Sequence, residues 1–352
     1  MYPALAIVDA LGERADVLWV GGDGGMERDL VGRVGLAFES IPAAGLHGVG
    51  WRALPGNIWR LARGYLAARG VIARFRPDAM LLTGGYVGVP VAAAGRSVPK
   101  VAFVPDIEPG FALKVIGRLS EKICVSVEDS IAHYAAGERV VVTGYPTRPG
   151  FVGLTREEGR RGLGLSADRP VVLVTGGSRG AHSINEALWR ILPGLLARAQ
   201  VVHLTGTQDW GRIEEIRSTL TEARLDDYHA YPYLHDEMGL ALAAADLVVS
   251  RAGASALGEY PLFGLPSILV PYPHAWRYQK VNAEYLAGKG AAVVLEDDQL
   301  NARLWESLVE LLDRGDKRQQ MSEAARALSR PSAAAAIASQ IRLAAGEGAA
   351  AP

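Results

Sequence analysis

The chain is predicted to fold as an α/β protein with two doubly wound, Rossmann-like domains, and three observations carry that expectation. Its 352 residues exceed one ordinary domain. Short, continuously apolar runs recur along it, each ending near Gly or Pro and followed by a helical pattern, which suits parallel strands covered on both faces. The series restarts midway, after "GYPTRPGF", whose Gly and Pro content reads as a linker.

Taken in order, "YPALAIVDAL" reads as a helix with Pro3 in its first turn, where the missing N–H does no harm. The first-half strands are "VLWVGG", "AMLLTGG", "KVAFVP", "KICVSV" and "RVVVTGYP". The second set is "VVLVTGG", "QVVHLTG", "YHAYPYL", "LVVSRAG", "SILVPYP" and "AAVVLE". The boundary is expected near residues 145–151, which gives a first domain over 1–147 and a second over 148–330. An Ala-rich tail over 331–352 carries a helix with no strand to pair with, and packing back on the first domain is its expected place. Ligands of such sheets sit at the carboxyl ends of the strands, so a cleft between the two domains is the expected site.

Composition narrows the function classes. Lys plus Arg number 37 against 38 Asp plus Glu, so no basic excess points to nucleic acid, and none is expected as a partner. No apolar run reaches the roughly 20 residues of a membrane-spanning helix, and the opening residues do not read as a secretion signal. The cytoplasm is the expected compartment. Cys124 is the only cysteine, which excludes an intramolecular disulfide and any multi-Cys metal site. Its apolar setting reads as a buried, inert thiol. No metal and no cofactor are expected.

The strongest single signal is "VVLVTGGSRGAHSINEAL". An apolar strand runs into Gly176, Gly177, Ser178, Arg179 and Gly180, and a helix starts near His182. Glycines there permit a tight turn and close backbone approach, and the open N–H groups of the helix start would hold a pyrophosphate. Ser178 adds a hydroxyl donor. The pattern is neither G-x-G-x-x-G nor a Walker loop, which argues against a dinucleotide oxidoreductase and a P-loop nucleotidase.

The second signal is "SRAGASALGEYPLFGLPSILVPYPHAWRYQKVNAEYL". Residues 250–255 again join a strand end to a helix start, and Glu259 lies one turn along that helix. A carboxylate accepting two hydroxyls is the usual grip on a ribose. Gln279 and Asn282 sit three apart on the next helix, where their amides would meet sugar hydroxyls. "GGDGGMERDL" looks like a phosphate loop but carries Asp23 and Glu27 where an anion would sit, so it reads as a structural turn. Gly84 and Gly85 follow a strand and would border an acceptor. The stretch over 51–76 mixes Trp51, Ile58, Trp59, Leu61, Tyr65 and Leu66 with Arg52, Arg60, Arg63, Arg69, Arg74 and Arg76 and has no acid. It suits either an anionic membrane surface or an ordinary amphipathic helix.

The segments "VLVTGGSRGAHSINEAL", "ADLVVSRAGASALGE", "GLPSILVPYPHAWRYQKVNAEYL" and "LLTGGYVGVP" resemble the MurG family of N-acetylglucosaminyltransferases, glycosyltransferase family 28. The likeness runs in register from Tyr2 to about residue 330 and includes "AGLHG" and "RFRPD". The resemblance implies a GT-B fold, with UDP-N-acetylglucosamine held mostly by the second domain. It implies that Arg148 and Ser178 contact the nucleotide and that the backbone at His235 faces the uracil. Ala254, Ser255, Ala256, Leu257, Gly258 and Glu259 would hold phosphate and ribose, and Gln279 the sugar. It further implies inverting transfer, without a sugar–enzyme bond, to a polyprenyl-pyrophosphate-linked N-acetylmuramyl-pentapeptide. That is the lipid I to lipid II step of peptidoglycan synthesis, performed as a peripheral enzyme at the cytoplasmic face of the cell membrane.

Two positions depart from the family pattern. Asp106 of "FVPDIEPG" stands where the family has the Asn of its "HEQN" stretch, on the acceptor side. The family's opening strand and Gly-rich loop, with a His as candidate acid–base group, precede the "YPALA" that begins this chain. The expectation is that this segment lies upstream of Met1 and that the chain without it lacks transferase activity. Other readings of the same residues are a UDP-sugar transferase with another lipid acceptor, a catalytically inactive UDP-sugar-binding chain, and a sugar-nucleotide 2-epimerase. The paired "GGSRGA" and "RAGAS…E" turns suit a transferase better than an epimerase.

Overall fold

A computed structural model describes residues 1–24, 27–45, 54–135, 139–177, 180–274 and 277–347. Ser178, Trp51 and Arg52, singled out above, lie outside them. The chain divides into two units, Met1–Arg148 with Ser332–Pro352, and Pro149–Pro331.

The first unit opens with α1 (Tyr2–Leu11), β1 (Leu18–Gly22), α2 (Glu27–Arg33), β2 (Ala37–Ile41) and α3 (Leu54–Phe75). It continues through β3 (Met80–Leu82), α4 (Gly85–Ala94), β4 (Lys100–Val104), α5 (Phe111–Leu119), β5 (Lys122–Val125) and β6 (Val140–Val142). β2 is absent from the strands expected above, because Glu39 and Ser40 interrupt its apolar run. Every strand pairing is parallel. The sheet comes in two pieces, a four-stranded one in the order β3-β4-β5-β6 and a two-stranded one of β1 and β2. α4 packs on both, with Val91 meeting the cluster of Leu82, Ala92 and Ile116 and also that of Ile41, Ala68 and Val71. β4 is buried along its whole length, as a strand covered on both faces must be. Cys124 in β5 is buried, and desolvation pushes its thiol up to about 12, so it stays protonated.

The second unit runs α6 (Arg156–Gly162), β7 (Val171–Thr175), α7 (His182–Leu196), β8 (Gln200–Leu204), α8 (Ile213–Ser218), α9 (Glu222–Leu225) and β9 (Tyr228–Tyr231). Then come α10 (Met238–Ala244), β10 (Leu247–Ser250), α11 (Glu259–Phe263), β11 (Ser267–Leu269), α12 (Tyr278–Gly288), β12 (Ala292–Val294), α13 (Leu300–Asp313) and α14 (Gly315–Ala327). Thr155 starts α6 with a capping box, its hydroxyl taking the Glu158 N–H while the Glu158 carboxylate takes its own. Asp246 ties that helix to the sheet, accepting from Arg156, Arg160 and the Val171 N–H at 2.6, 2.8 and 2.8 Å. The main core lies where Ile184, Leu188, Leu192 and Leu195, spaced three and four apart on α7, meet Leu304, Leu308 and Leu311 of α13.

The final helix α15 (Ala333–Ala344) returns to the first unit and lies against α1 and β4. Arg342 donates to the carbonyls of Ala10 and Leu11 at 3.2 and 2.8 Å, placing a cation at the negative end of α1.

The six-stranded parallel sheet of the second unit has the order β12-β11-β10-β7-β8-β9. The chain therefore builds outward from β7 through β8 and β9, then returns to the other side of β7 with β10. That reversal puts the topological switch point between β7 and β10, and the crevice beyond their carboxyl ends is where such sheets bind ligands.

Candidate functional site

Two turns flank the switch point, and the first follows β7. Gly177 donates its N–H to Thr175 Oγ1 at 3.2 Å, and Gly180 closes the turn by donating to Gly177 O at 3.0 Å. A Cβ on Gly176 would stand 2.1 Å from the Ala181 nitrogen, so no side chain fits. Gly180 has φ of +79°, and a Cβ there would lie 2.1 Å from Thr205 O. The turn delivers the chain into α7, whose N-cap Ala181 offers no side-chain acceptor and whose first turn holds no acid. The 15-residue helix thus directs its first-turn N–H groups and its positive end at the switch point, with no side-chain cap from Ala181.

A buried polar network fixes the neighbouring loop after β8. Asn185 donates to Thr205 O at 2.9 Å and to Asp209 Oδ2 at 2.7 Å. Asp209 also faces His182 Nδ1 at 2.9 Å. His203 joins Asn185 to the hydroxyl of Tyr228, and burial drives its imidazole down to about 3, so it is neutral. Trp189 Nε1 donates to the same hydroxyl at 3.2 Å.

The second turn follows β10. Arg251, its side chain 11 % exposed, donates to Val270 O at 3.2 Å, to Asp297 Oδ1 at 2.5 Å and to Ser183 Oγ at 2.8 Å. Ser183 donates in turn to Asp297 at 2.8 Å. One guanidinium thereby ties together the ends of β10 and β11, the first turn of α7 and the segment after β12. Sequence reasoning passed over this residue. The available signal was a cation at the first position beyond a buried strand, followed by a glycine and a helix start.

Beyond Arg251 the expected helix opens as a 3-10 turn, Ala254–Leu257, and Glu259 heads the short α11. Glu259 is buried, and beside it the Tyr260 hydroxyl donates to Ser250 Oγ at 2.7 Å, which pins α11 to the end of β10. Gln279 accepts from the Tyr272 N–H at 2.9 Å. Asn282 differs from the expectation of a sugar-facing amide. It is fully buried and donates to Ala252 O at 3.2 Å, because its position turns it inward beneath the β10 turn. Its observed part is to hold the loop.

The structure thus brings Gly176, Gly177 and Gly180 to one side of the switch point, with Ala254, Ser255, Ala256, Leu257, Gly258 and Glu259 on the other. His235 follows β9, exposed, its ring edge-on to Tyr233 at 4.7 Å. Asp106 and Arg148 belong to the first unit. Asp106 lies in the loop after β4, and the Arg148 guanidinium sits 3.6 Å over the ring of Tyr2. Gly84 and Gly85 start α4 with φ of +101° and +75°. Among the described residues no group of three or more His, Cys, Asp or Glu side chains could hold a metal ion.

Comparison with known proteins matches the glycosyltransferase family 28 N-terminal domain to residues 1–125 and the family's C-terminal domain to residues 171–338. A UDP-N-acetylglucosamine–N-acetylmuramyl-(pentapeptide) pyrophosphoryl-undecaprenol N-acetylglucosamine transferase from Roseiflexus sp. (strain RS-1) is 38% identical, with 96% of this chain and 91% of the relative covered. The crystal structure of MurG from Acinetobacter baumannii superposes with a TM-score of 0.77 at 25% identity, over 97% of this chain and 95% of that one. A UDP-GlcNAc 2-epimerase from Neisseria meningitidis, bound to UDP-GlcNAc, shares the fold at a TM-score of 0.67 and 12% identity, over 96% and 95% of the two chains.

Proposed function

This chain belongs to glycosyltransferase family 28, and we propose that it transfers N-acetylglucosamine from UDP-N-acetylglucosamine, with inversion, to a polyprenyl-pyrophosphate-linked N-acetylmuramyl-pentapeptide. The observation that carries the donor half is the pairing of the two turns at the β7/β10 switch point. The uncapped start of α7 would receive the diphosphate, and Glu259 the ribose hydroxyls. Ser178 and Arg148 would add donors to the nucleotide, Gln279 would orient the sugar, and the backbone at His235 would face the uracil.

The chemistry follows from that arrangement. As the bond from the anomeric carbon to the diphosphate breaks, negative charge grows on the leaving phosphate. The N–H groups and positive end of α7 stabilise that charge more in the transition state than in the ground state. The acceptor hydroxyl attacks from the opposite face, which inverts the anomeric centre, and its proton passes to solvent as the new C–O bond forms. Arg251 serves by holding the loops around the nucleotide in one arrangement, with its charge committed to Asp297.

For the acceptor side, support comes from the first unit. α3 exposes Ile58, Trp59 and Leu66, at 58, 65 and 64 % of their surface, among the exposed Arg60, Arg63 and Arg69. Leu61 and Tyr65, read above with this set, are partly buried against the unit. An apolar stripe flanked by cations suits docking on an anionic membrane carrying a lipid-linked acceptor, at its cytoplasmic face. Among the described residues no helix is long and apolar enough to cross a membrane.

The deciding experiment incubates the chain with labelled UDP-N-acetylglucosamine, with and without the lipid-linked muramyl-pentapeptide. Acceptor-dependent appearance of a β-linked disaccharide supports the proposal. Conversion of the sugar nucleotide to its 2-epimer without acceptor favours the epimerase reading, and tight binding with no product the inactive one.

A further inference from the structure

A cavity of about 240 Å³ in the first unit is lined by Lys114, Gly117, Arg118, Ile123, His133, Tyr134, Ala135 and Arg139. Four of these side chains are basic, and none is acidic. The cavity lies away from the carboxyl ends of the strands. Arg139 immediately precedes β6, Gly117 belongs to the last turns of α5, and His133 ends the 3-10 turn Glu128–His133.

The lining is built around one side chain. The Tyr134 ring rests over Gly117, where a Cβ would stand 3.1 Å from its Cε1 and 3.3 Å from Ile123 Cδ1. A larger residue at 117 would fill the space the ring occupies. The Tyr134 hydroxyl is buried and has no hydrogen-bond partner among the described residues. Burial raises its pKa well above the ordinary phenol value, so it remains an O–H donor. Arg139 is held by the Gly117 and Ser120 carbonyls, neutral acceptors that fix its plane without cancelling its charge. Lys114 and Arg118 follow one another at i and i+4 along α5, on the face toward the cavity.

We propose that this cavity is a second anion site, which binds a phosphate monoester through Lys114, Arg118, Arg139 and the Tyr134 hydroxyl. A phosphate fits the donor set because it carries up to two charges and several acceptor oxygens, enough to take the O–H and two or three cations together. A carboxylate would satisfy fewer of them. The proposal rests on the first unit alone and is independent of the nucleotide reading of the second.

The test titrates inorganic phosphate into the full chain by calorimetry, with UDP present to occupy the proposed nucleotide site. Unfolding temperatures are followed in parallel. The expected result is saturable binding that weakens about ten-fold in Lys114→Ala/Arg118→Ala, the scale of losing a charge-assisted hydrogen bond. Tyr134→Phe removes only the unpartnered hydroxyl. It should match or exceed the wild type in unfolding temperature without phosphate, yet lose part of the phosphate-induced rise. A second arm presents phosphatidylcholine vesicles with and without phosphatidic acid. Binding that needs phosphatidic acid and falls in the same variants identifies a lipid headgroup as the source. A response to phosphate alone identifies a soluble one. Phosphate and vesicle responses equal in wild type and both variants overturn the site.

Discussion

The Nε2–H of His203 donates to Oδ1 of Asn185 across 2.9 Å inside the second unit. The direction follows from the other end of the amide, where Asn185 Nδ2 must donate to the Thr205 carbonyl and the Asp209 carboxylate. His203 Nδ1 is therefore the acceptor for the Tyr228 hydroxyl at 2.8 Å, and the imidazole is a neutral, fully used link.

That link predicts an acid-sensitive stability. The folded His203 titrates at about 3 against 6.5 unperturbed, so the unfolded chain binds the extra proton between those values. Stability contributed by the neutral ring is fully present above pH 6.5. It falls as pH drops toward 3, by up to about 1.4 kcal/mol per unit. Urea unfolding of His203→Gln should show a shallower slope across this window, by up to one proton. An unchanged slope would remove His203 from the account.

Gly180→Ala tests the β7 turn. The substitution forces a side chain onto a φ of +79° and against Thr205 O, so the turn must open. UDP affinity should fall at least about ten-fold, while the far-UV spectrum stays native, since the change is confined to a loop. Wild-type affinity would show that the turn does not meet the diphosphate.

The exposed stripe of α3 predicts salt-sensitive vesicle binding. Attachment should rise with anionic lipid and weaken with salt, at about 1 kcal/mol per basic residue near the surface. Trp59→Ser with Leu66→Ser should reduce it several-fold, without loss of UDP binding. Salt-independent attachment, or none, returns α3 to an ordinary surface helix.

The divided sheet of the first unit predicts uneven amide exchange. Met80 bonds toward β4 through Pro99 O, so parallel alternation turns the Leu81 N–H toward the other edge. Asp23 bonds toward β2 through Ile41 O, which turns Val20 away from it in the same manner. Neither edge has a partner strand among the described residues. Leu81 and Val20 should exchange many-fold faster than Val172 and Val202, which lie in central, fully buried strands. Equal protection would mean that both edges are paired in solution.

Strands buried on both faces were legible because their burial demands unbroken apolar runs, as in Val171–Thr175 and Lys100–Val104. β2 was not, since a strand with one partner and partly exposed residues tolerates Glu39 and Ser40. The glycine turn could be read because only glycine meets the conformations at 177 and 180. The part of Asn282 could not, because an amide three residues from Gln279 looks equally suited to solvent, sugar or backbone until its burial is known. Arg251 was hidden for a related reason. Its partners Ser183, Val270 and Asp297 are far away in sequence, and only the fold brings them to one guanidinium.

The central claim is that the β7/β10 switch point grips a uridine diphosphate sugar, with Glu259 on the ribose. Calorimetric titration of UDP-N-acetylglucosamine into wild type and Glu259→Ala measures it most directly. The account predicts one saturable site per chain in the wild type, and a loss of about 1–3 kcal/mol in the variant, or roughly five- to 150-fold in affinity. Equal affinity in the two proteins, or no binding by the wild type, would contradict it.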